Sequence, residues 1–509
     1  MEIEFKFRIP PERLKAVEAA LRRGAVGTTR LQARYHDTAD GALAAAGVAL
    51  RLRKEGRRWV QTAKAAGAGP VQRLEHNADL GGGAPPALPD PARHAGTPVG
   101  DRLAEVLAAA GGAPLVQTYA TDVRRLTRIV RHAGATVELA LDTGRIAAPG
   151  PAGGPPRTAP VCELELELLR GPVSALAALA AQWAQRHGLW LSTVSKAERG
   201  ERLMRGDPPA APVKAAPPDF APFVAQAGEA PDGPAVQRAV VAACLAQILP
   251  NATEVAEGSE DAEVVHQLRI GIRRLRVALR ELAALAPGLD PAWEAPLVET
   301  FRALGAQRDR DLVLAEALAA LQADGAPAID LPPPAEAPVR VAEVVRAPAL
   351  QAALVALVGF AASPAAADAQ GQAALDAEAA LAHLQQRLRR LRRQVLRDGA
   401  RFESLDDEAR HRVRKRLKRL RYLAEFTAPL FGARRAGRFL DALRPAQDAL
   451  GVYNDAVVAR ALFAEAVPHD ARAWYALGWL DARRDALARR AQRALARIAD
   501  APAFWKGRG

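Results

Sequence analysis

MEIEFKFRI, residues 1–9, alternates Glu2, Glu4, Lys6 and Arg8 with Ile3, Phe5, Phe7 and Ile9. In an extended chain successive side chains point to opposite faces, so one face carries only charge and the other only large apolar groups. Taken alone, this strand reads as the solvated side of an ordinary antiparallel sheet. The pattern then recurs from strand to strand through the first 170 residues. Arg51 and Arg53 alternate with Leu50 and Leu52, and RLEHNADL places Arg73 and Glu75 on one face. VELALDTG sets Glu138 and Asp142 against Val137, Leu139 and Leu141, and VCELELELL sets Glu163, Glu165 and Glu167 against Leu164, Leu166 and Leu168. A sheet of such strands has one continuous face of acids and bases, and on closure that face lines a lumen. Gathered carboxylates favour divalent cations, which take oxygen ligands, and facing Arg and Lys suit the free oxygens of a phosphate. A polyphosphate chelated to a metal meets both demands at once.

At these residues Glu2-x-Glu4-x-Lys6 resembles the ExExK signature of the CYTH family, the triphosphate tunnel metalloenzymes. The resemblance continues in order through LRLRKEG, VQTAKAAG, QRLEHN, TDVRRLTR, ELALDTG, CELELEL and STVSKAERG, and so spans residues 1–205. It implies an α+β domain, an eight-stranded antiparallel β tunnel with flanking helices. In it Glu2, Glu4, Asp142, Glu163 and Glu165 would hold one or two Mg²⁺ or Mn²⁺ ions. By the same carry-over Lys6, Arg51, Arg53, Lys64, Arg73, Arg125 and Lys196 would hold the phosphates, and Glu75 would complete the acidic set. The catalytic group implied is Glu2, Glu4, Lys6 and Glu75, with Lys6 or Glu75 placed to influence deprotonation of water.

A chain of 509 residues exceeds one hydrophobic core and predicts two or three domains. Its apolar and charged fractions are those of an ordinary globular protein, but a net charge of +13 and a pI near 10.3 call for a polyanionic partner. Cys162 and Cys244 are far apart, outside any metal-binding spacing, so a reducing compartment and two small core residues are expected. The charged strand at the start leaves no room for a signal peptide, and no uncharged apolar run of membrane-spanning length is read. The expected location is the cytoplasm, with polyphosphate granules as a site of association and no membrane partner.

PPERLKAVEAALRRG, DRLAEVLAAA and PVSALAALAAQWAQRHG have helical spacing and apolar stripes suited to cover the outside of the barrel. His36 is read as a structural hydrogen-bonding group. Residues 206–232 are rich in Pro and Ala without sustained period and read as a semi-rigid linker. Beyond it the periodicity is helical to the end of the chain.

VHQLRIGIRRLR, from Val265, superposes on RHRVRKRLKRLR, from Arg410, so that His266, Arg269, Arg273 and Arg276 coincide with His411, Arg414, Lys418 and Arg421. LGAQRDRD, from Leu304, falls over LGVYNDAV, from Leu450, which argues for a duplicated helical unit with a Pro-rich break at 325–338. The spacing puts the four polar residues on one narrow stripe beside the apolar stripe Val265, Leu268, Ile272, Leu275 and Leu279. For a single helix such cations read as side chains snorkelling at the rim of a core. Here the stripe has almost no acid for i,i+4 pairing, and like charges so stacked repel one another. RLRRLRRQVLR, residues 387–397, adds to the field, Asp309 and Asp455 are read as helix caps, and Trp474, Trp479 and Trp505 are expected in the core.

These blocks resemble the CHAD domain, a helical module of two tandem four-helix bundles, over residues 233–500, in halves near 233–324 and 345–500. The resemblance implies binding of inorganic polyphosphate through His266, Arg269, Arg273, Arg274, Arg276, His411, Arg414, Lys415, Lys418, Arg421 and Tyr422. The function expected is metal-dependent hydrolysis of inorganic triphosphate to pyrophosphate and phosphate, with polyphosphate held by the helical half. The alternative is a non-catalytic polyphosphate-binding or granule-targeting protein. No GxxxxGK[ST] loop and no Ser or Cys nucleophile with a partnering base is found. Nucleic acid is disfavoured as partner, because aromatic residues for stacking are only 5% of the chain and no duplex-reading motif is present.

Overall fold

The computed structural model of the chain describes residues 2–67, 72–84, 86–150, 154–206, 208, 210–224, 229–332, 339–363 and 374–506, with the side chains of 306–311 excepted. Nine strands form one antiparallel sheet: β1 (Glu2–Arg8), β2 (Gly27–Thr38), β3 (Val48–Glu55), β4 (Arg58–Ala66), β5 (Gln72–Gly82), β6 (Leu115–His132), β7 (Ala135–Ala148), β8 (Arg157–Arg170) and β9 (Trp190–Leu191). Their order is β5-β4-β3-β2-β6-β7-β8-β1-β9, and a further pairing of β5 with β1 closes the first eight into a barrel. The closing pair is Glu2 opposite Arg73, and β9 adds two residues beyond Lys6. Alternation decides the faces. Phe5, Phe7, Leu50, Leu52, Leu139, Leu164 and Leu166 are buried on the outer wall, while the charged residues between them point inward.

Five helices belong to this part: α1 (Leu14–Leu21), α2 (Ala42–Ala45), α3 (Pro98–Ala109), α4 (Val173–His187) and α5 (Lys196–Met204). Thr97 caps α3 by accepting from Gly100 N at 3.1 Å, and the helix lays Val99 and Leu103 on Leu50 and Ala63. Each outer helix hides apolar wall that would otherwise face water.

The rest is helical: α6 (Gly233–Ala256), α7 (Ala262–Glu281), α8 (Glu294–Ala323), α9 (Val341–Arg346), α10 (Pro348–Ala362), α11 (Ala377–Gly399), α12 (Asp407–Phe431), α13 (Ala433–Ala466) and α14 (Ala473–Ala496). The chain divides into two compact units, one of residues 1–214, 245–268 and 345–366, the other of 215–244, 269–344 and 367–509. In the second, α11, α12, α13 and α14 pack each on the next and α14 returns to α11, a four-helix bundle. Phe402, Phe426, Phe439 and Trp505 are fully buried there.

Two expectations change. Asp309 and Asp455 lie inside α8 and α13, so neither begins a helix; the side chain of Asp309 is outside the described residues. Trp474 is 64% exposed and Trp479 donates from Nε1 to Asp324 at 2.8 Å, leaving Trp505 alone of the three in the core. By length and mean hydropathy, 1.4, α6 could cross a membrane, but its longest uncharged stretch, 239–253 between Arg238 and Glu254, is 15 residues, in keeping with the sequence reading, and 72% of the apolar window is buried inside the protein. Its Gln247 and Asn251 are satisfied at 2.9 Å by Gln267 Oε1 and at 2.8 Å by Val213 O, as in a core helix.

Candidate active site

The inward-facing acids and bases converge on one cavity of about 430 Å³ inside the barrel, lined by Glu2, Glu4, Arg51, Arg53, Lys64, Glu75, Arg125, Asp142, Glu165, Glu167 and Lys196 among others. They sort into two groups, each built around a lysine. Lys64 Nζ lies 2.7 Å from Glu2, 2.8 Å from Glu75 and 3.7 Å from Glu4. Lys196 Nζ lies 2.7 Å from Asp142 and 2.8 Å from Glu165, and also pairs with Glu163. Arg125 grips Asp142 with two parallel bonds of 2.8 and 2.7 Å and reaches Glu165 at 2.5 Å. Strand register explains the second group, since Arg125 stands opposite Asp142, Asp142 opposite Glu163, and Lys6 opposite Glu165.

Such crowding moves the proton affinities apart. Burial pushes Glu2 up to about 8, reinforced by Glu4 and Glu75 and opposed by Lys64. Burial would raise Glu75 as well, but Lys64 and Arg51 overcome it and hold this carboxyl below its usual range. Burial also acts against Lys64, whose three acids keep it above the usual lysine range. For Glu165, Lys196 and Arg125 outweigh burial and hold the carboxylate well below its usual range. Lys6 goes the other way, since its burial outweighs the pull of Glu163, Glu4 and Glu165 and the ammonium sits below its usual range.

The remaining predicted residues have distinct places. Glu163 is fully buried, bound by Arg199 and Lys196. Arg53 turns to Glu55 at 2.6 Å, and Arg51 donates to Tyr35 Oη at 3.2 Å. Arg73 lines a neighbouring chamber of about 680 Å³, which also takes in Lys6, Arg51 and Lys64. His36 is buried on β2, and burial lowers its pKa.

The charged face is not continuous along the whole lumen. Ala33, Tyr35, Tyr119, Val123, Ile146 and Val161 share the inward parity and form an apolar cluster, against which Ala197, Leu203 and Met204 of α5 pack. Ser195 caps α5 by accepting from Glu198 N at 3.1 Å, and Gly200 lets the helix touch the Tyr119 ring, where a Cβ would lie only 2.2 Å away. That docking presents Lys196 and Arg199 to the acids. Sequence reading missed Arg199, although a spacing of three from Lys196 puts both on one helix face. It missed also Asn77, which bridges Thr62 at 2.7 Å and Glu75 at 3.0 Å.

On the basic helices the structure separates the predicted residues by depth. His266 is exposed and Arg273 and Arg276 are half-buried on α7; His411, Lys415 and Arg421 are exposed and Arg414 and Lys418 half-buried on α12. Arg269, Arg273 and Arg276 gather over Phe301, with guanidinium carbons 5.1, 4.9 and 5.9 Å from the ring centre. A ring face carries partial negative charge, which offsets the repulsion among the three cations. Arg274 does not share that face: it is buried, bonded to Glu425 at 2.9 Å and stacked on Phe426. Tyr422 is likewise buried. Acids are less scarce than expected, since Arg276 meets Glu294 at 3.3 Å and Arg421 meets Glu425 at 2.7 Å. From the third basic run, Arg387 is taken by Glu281 at 2.6 Å and Arg392 by the carbonyls of Ala499 and Ala501 at 2.8 Å.

A closed antiparallel barrel lined by acids and bases, followed by helices with cationic faces, defines a tunnel protein with a basic helical partner. The chain carries a CYTH domain, whose family model matches residues 1–200, and a CHAD domain, matched over residues 239–464. CYTH proteins are metal-dependent triphosphate tunnel metalloenzymes, some of them triphosphatases. Among solved structures the chain is similar to the CHAD domain of the plant Ricinus communis, with 27% identity over 56% of this chain and 96% of that one and a TM-score of 0.40. It is similar to a candidate adenylyl cyclase from Hippeastrum, described as having a dominant triphosphatase activity, with 17% identity over 41% and 97% of the two chains and a TM-score of 0.27. A candidate adenylate cyclase from Bacillus halodurans gives 20% identity, 33% and 81% coverage and a TM-score of 0.23.

The donor set suits a hard divalent ion. Asp142, Glu163 and Glu165 each offer a carboxylate oxygen, all within 4.8 Å of one another. An ammonium already sits among these acids, and another among Glu2, Glu4 and Glu75, so both places accept a cation.

Proposed function

We propose that the tunnel hydrolyses inorganic triphosphate to pyrophosphate and phosphate with Mg²⁺ or Mn²⁺, and that the helical half binds inorganic polyphosphate. The observation that carries this reading is the convergence of Glu2, Glu4, Asp142 and Glu165 with Arg51, Lys64, Arg125 and Lys196 on one cavity. Phosphoryl transfer asks a protein for charge neutralisation and alignment more than for covalent chemistry. A divalent ion held by Asp142, Glu163 and Glu165, or by Glu2 and Glu4, would neutralise phosphate oxygens and make water a better nucleophile.

The chain's own residues supply the rest. Lys64 and Lys196 exchange carboxylate partners for phosphate oxygens when substrate enters, and Arg51 and Arg125 fix the chain of phosphates by forked hydrogen bonds. The Glu2 and Glu75 pair can hold one proton near neutral pH, since their proton affinities lie on opposite sides of the ordinary carboxylate value. It is therefore a place in the cavity where a proton can be taken up or released. The apolar end against α5 limits water on one side of the reacting group.

Phosphate release from tripolyphosphate, ATP and thiamine triphosphate, each with Mg²⁺ or Mn²⁺, tests the reading. Tripolyphosphate is expected to be turned over fastest, and Glu4→Gln to lower kcat by about 100-fold, the scale of losing one group that stabilises transition-state charge. A protein inert on all three substrates would retain the binding role alone.

A further inference from the structure

A second cationic cavity lies on the outside of the barrel, apart from the tunnel. The ends of α1 and α4 and the last third of β6 border a cavity of about 150 Å³, lined by Arg23, Arg128, Trp183, Arg186 and His187 among others. Arg128 reaches this place because Gly24 has no side chain: a Cβ there would lie 3.2 Å from the guanidinium Nε. His187 is 7% exposed, with the Trp183 ring 5.0 Å away and tilted by 32°. Neither of its ring nitrogens has a hydrogen-bond partner among the described residues.

The charge is unbalanced. Arg13, Arg23, Arg128 and Arg186 make no ion pair among the described residues, and nearby Glu18 is taken by Arg22 at 2.8 Å and Arg124 at 3.1 Å. Burial and then Arg186, Arg13 and Arg23 lower the pKa of His187, and no carboxylate counters them. Helix C-termini attract cations, and Arg128 does donate to Ala20 O at 3.3 Å. Two such ends amount to only about one negative charge. Arg128 is half-buried and Arg23 and Arg186 are exposed, so the cavity presents three guanidinium groups to an incoming anion beside a buried imidazole.

We propose that this cavity binds a small free phosphate-type oxyanion, orthophosphate or pyrophosphate, with Arg23, Arg128 and Arg186 as donors and His187 as its buried wall. Planar guanidinium forks match phosphate oxygens, and three of them suit the three free oxygens of a terminal phosphate better than the two of a carboxylate. The volume equals about five waters at roughly 30 Å³ each, room for one or two phosphate groups. A dianion beside His187 favours the imidazolium, so binding carries proton uptake at this residue.

The 509-residue chain labelled at histidine ¹³Cε1 gives nine signals, and His187→Gln identifies the one that matters. Orthophosphate or pyrophosphate, added at constant ionic strength without metal, should move the His187 signal saturably and shift its titration upward. Arg128→Ala and Arg186→Ala should each weaken that response by about tenfold or more, the scale of one charge-assisted hydrogen bond. The other eight signals show whether a variant is folded, and Arg186→Lys provides a milder change if it is not. An unmoved His187 signal overturns the proposal, as does an equal shift with chloride or unchanged affinity in the folded arginine variants. A response to phosphatidic acid vesicles with none to free phosphate would also overturn it, by assigning the chemistry to a lipid headgroup.

Discussion

Glu2 shows how one proton can tie metal affinity to pH. Its folded pKa of about 8 lies above the ordinary 4.5, so between those values the folded protein keeps a proton that the unfolded chain has released. The contribution of this group to stability therefore falls as pH rises through that window. Glu75 is depressed and acts oppositely: its contribution is present above 4.5 and is lost as pH falls through its folded value. A metal ligand must be deprotonated, so an ion that takes Glu2 must expel that proton. Calorimetric titration of Mg²⁺ or Mn²⁺ at pH 7, in two buffers of different ionisation enthalpy, should report about one proton released per ion at this site. Affinity should rise by up to about tenfold per pH unit below pH 8, and Glu2→Gln should abolish both effects. Release that persists in Glu2→Gln would place the proton elsewhere.

Among the elements, α5 carries the most for its nine residues, because it closes the apolar end of the barrel and delivers two cations to three acids. Arg199→Ala leaves the fully buried Glu163 with Lys196 only, and should cost about 3–5 kcal/mol in urea unfolding, the scale of breaking a buried ion pair. If the loss is below 1 kcal/mol, on the scale of an exposed pair, Arg199 is not holding Glu163. On α8, Phe301→Leu keeps an apolar contact but removes the ring face beneath three guanidinium groups, so the measured affinity for polyphosphate should fall, with Phe301→Tyr restoring it. The strands and their charged face were legible in the sequence because the period of two is strict from Glu2 to Arg8 and from Glu163 to Leu168. Their closure followed from the CYTH resemblance. The apolar end was not legible, because Tyr35, Tyr119 and Ile146 share inward parity with the charges and look like ordinary strand residues. Asp309 and Asp455 misled for another reason. Gly305, Gly451 and Pro445 resemble boundaries, yet α8 and α13 run 30 and 34 residues through them, held by packing of Val313, Leu321 and Phe463 in one apolar cluster.

For the whole molecule, the net charge of +13 does not reside in the tunnel, where acids and bases pair closely. Residues 1–214 carry +9 of it (30 Lys and Arg against 21 Asp and Glu) and residues 215–509 only +4 (40 against 36), so on the helices the cations matter as local stripes, where Lys415 is exposed and Arg273 and Lys418 are half-buried. Binding of a long polyanion there should be driven by release of its condensed counterions, so affinity falls steeply as salt rises. Triphosphate in the tunnel meets enclosed groups that salt screens far less. The two proposed activities should therefore separate. Replacing Arg273, Arg276, Lys418 and Arg421 together with Ala should remove long-chain polyphosphate binding and flatten its salt dependence, while phosphate release from tripolyphosphate stays within about twofold, as expected for sites that share no partner. Filter binding across a salt series, run beside the hydrolysis assay on the same preparation, measures both. Unchanged polyphosphate affinity would take the α7 and α12 stripes out of binding, and a parallel loss of hydrolysis would show that the tunnel depends on charges far along the chain from its own.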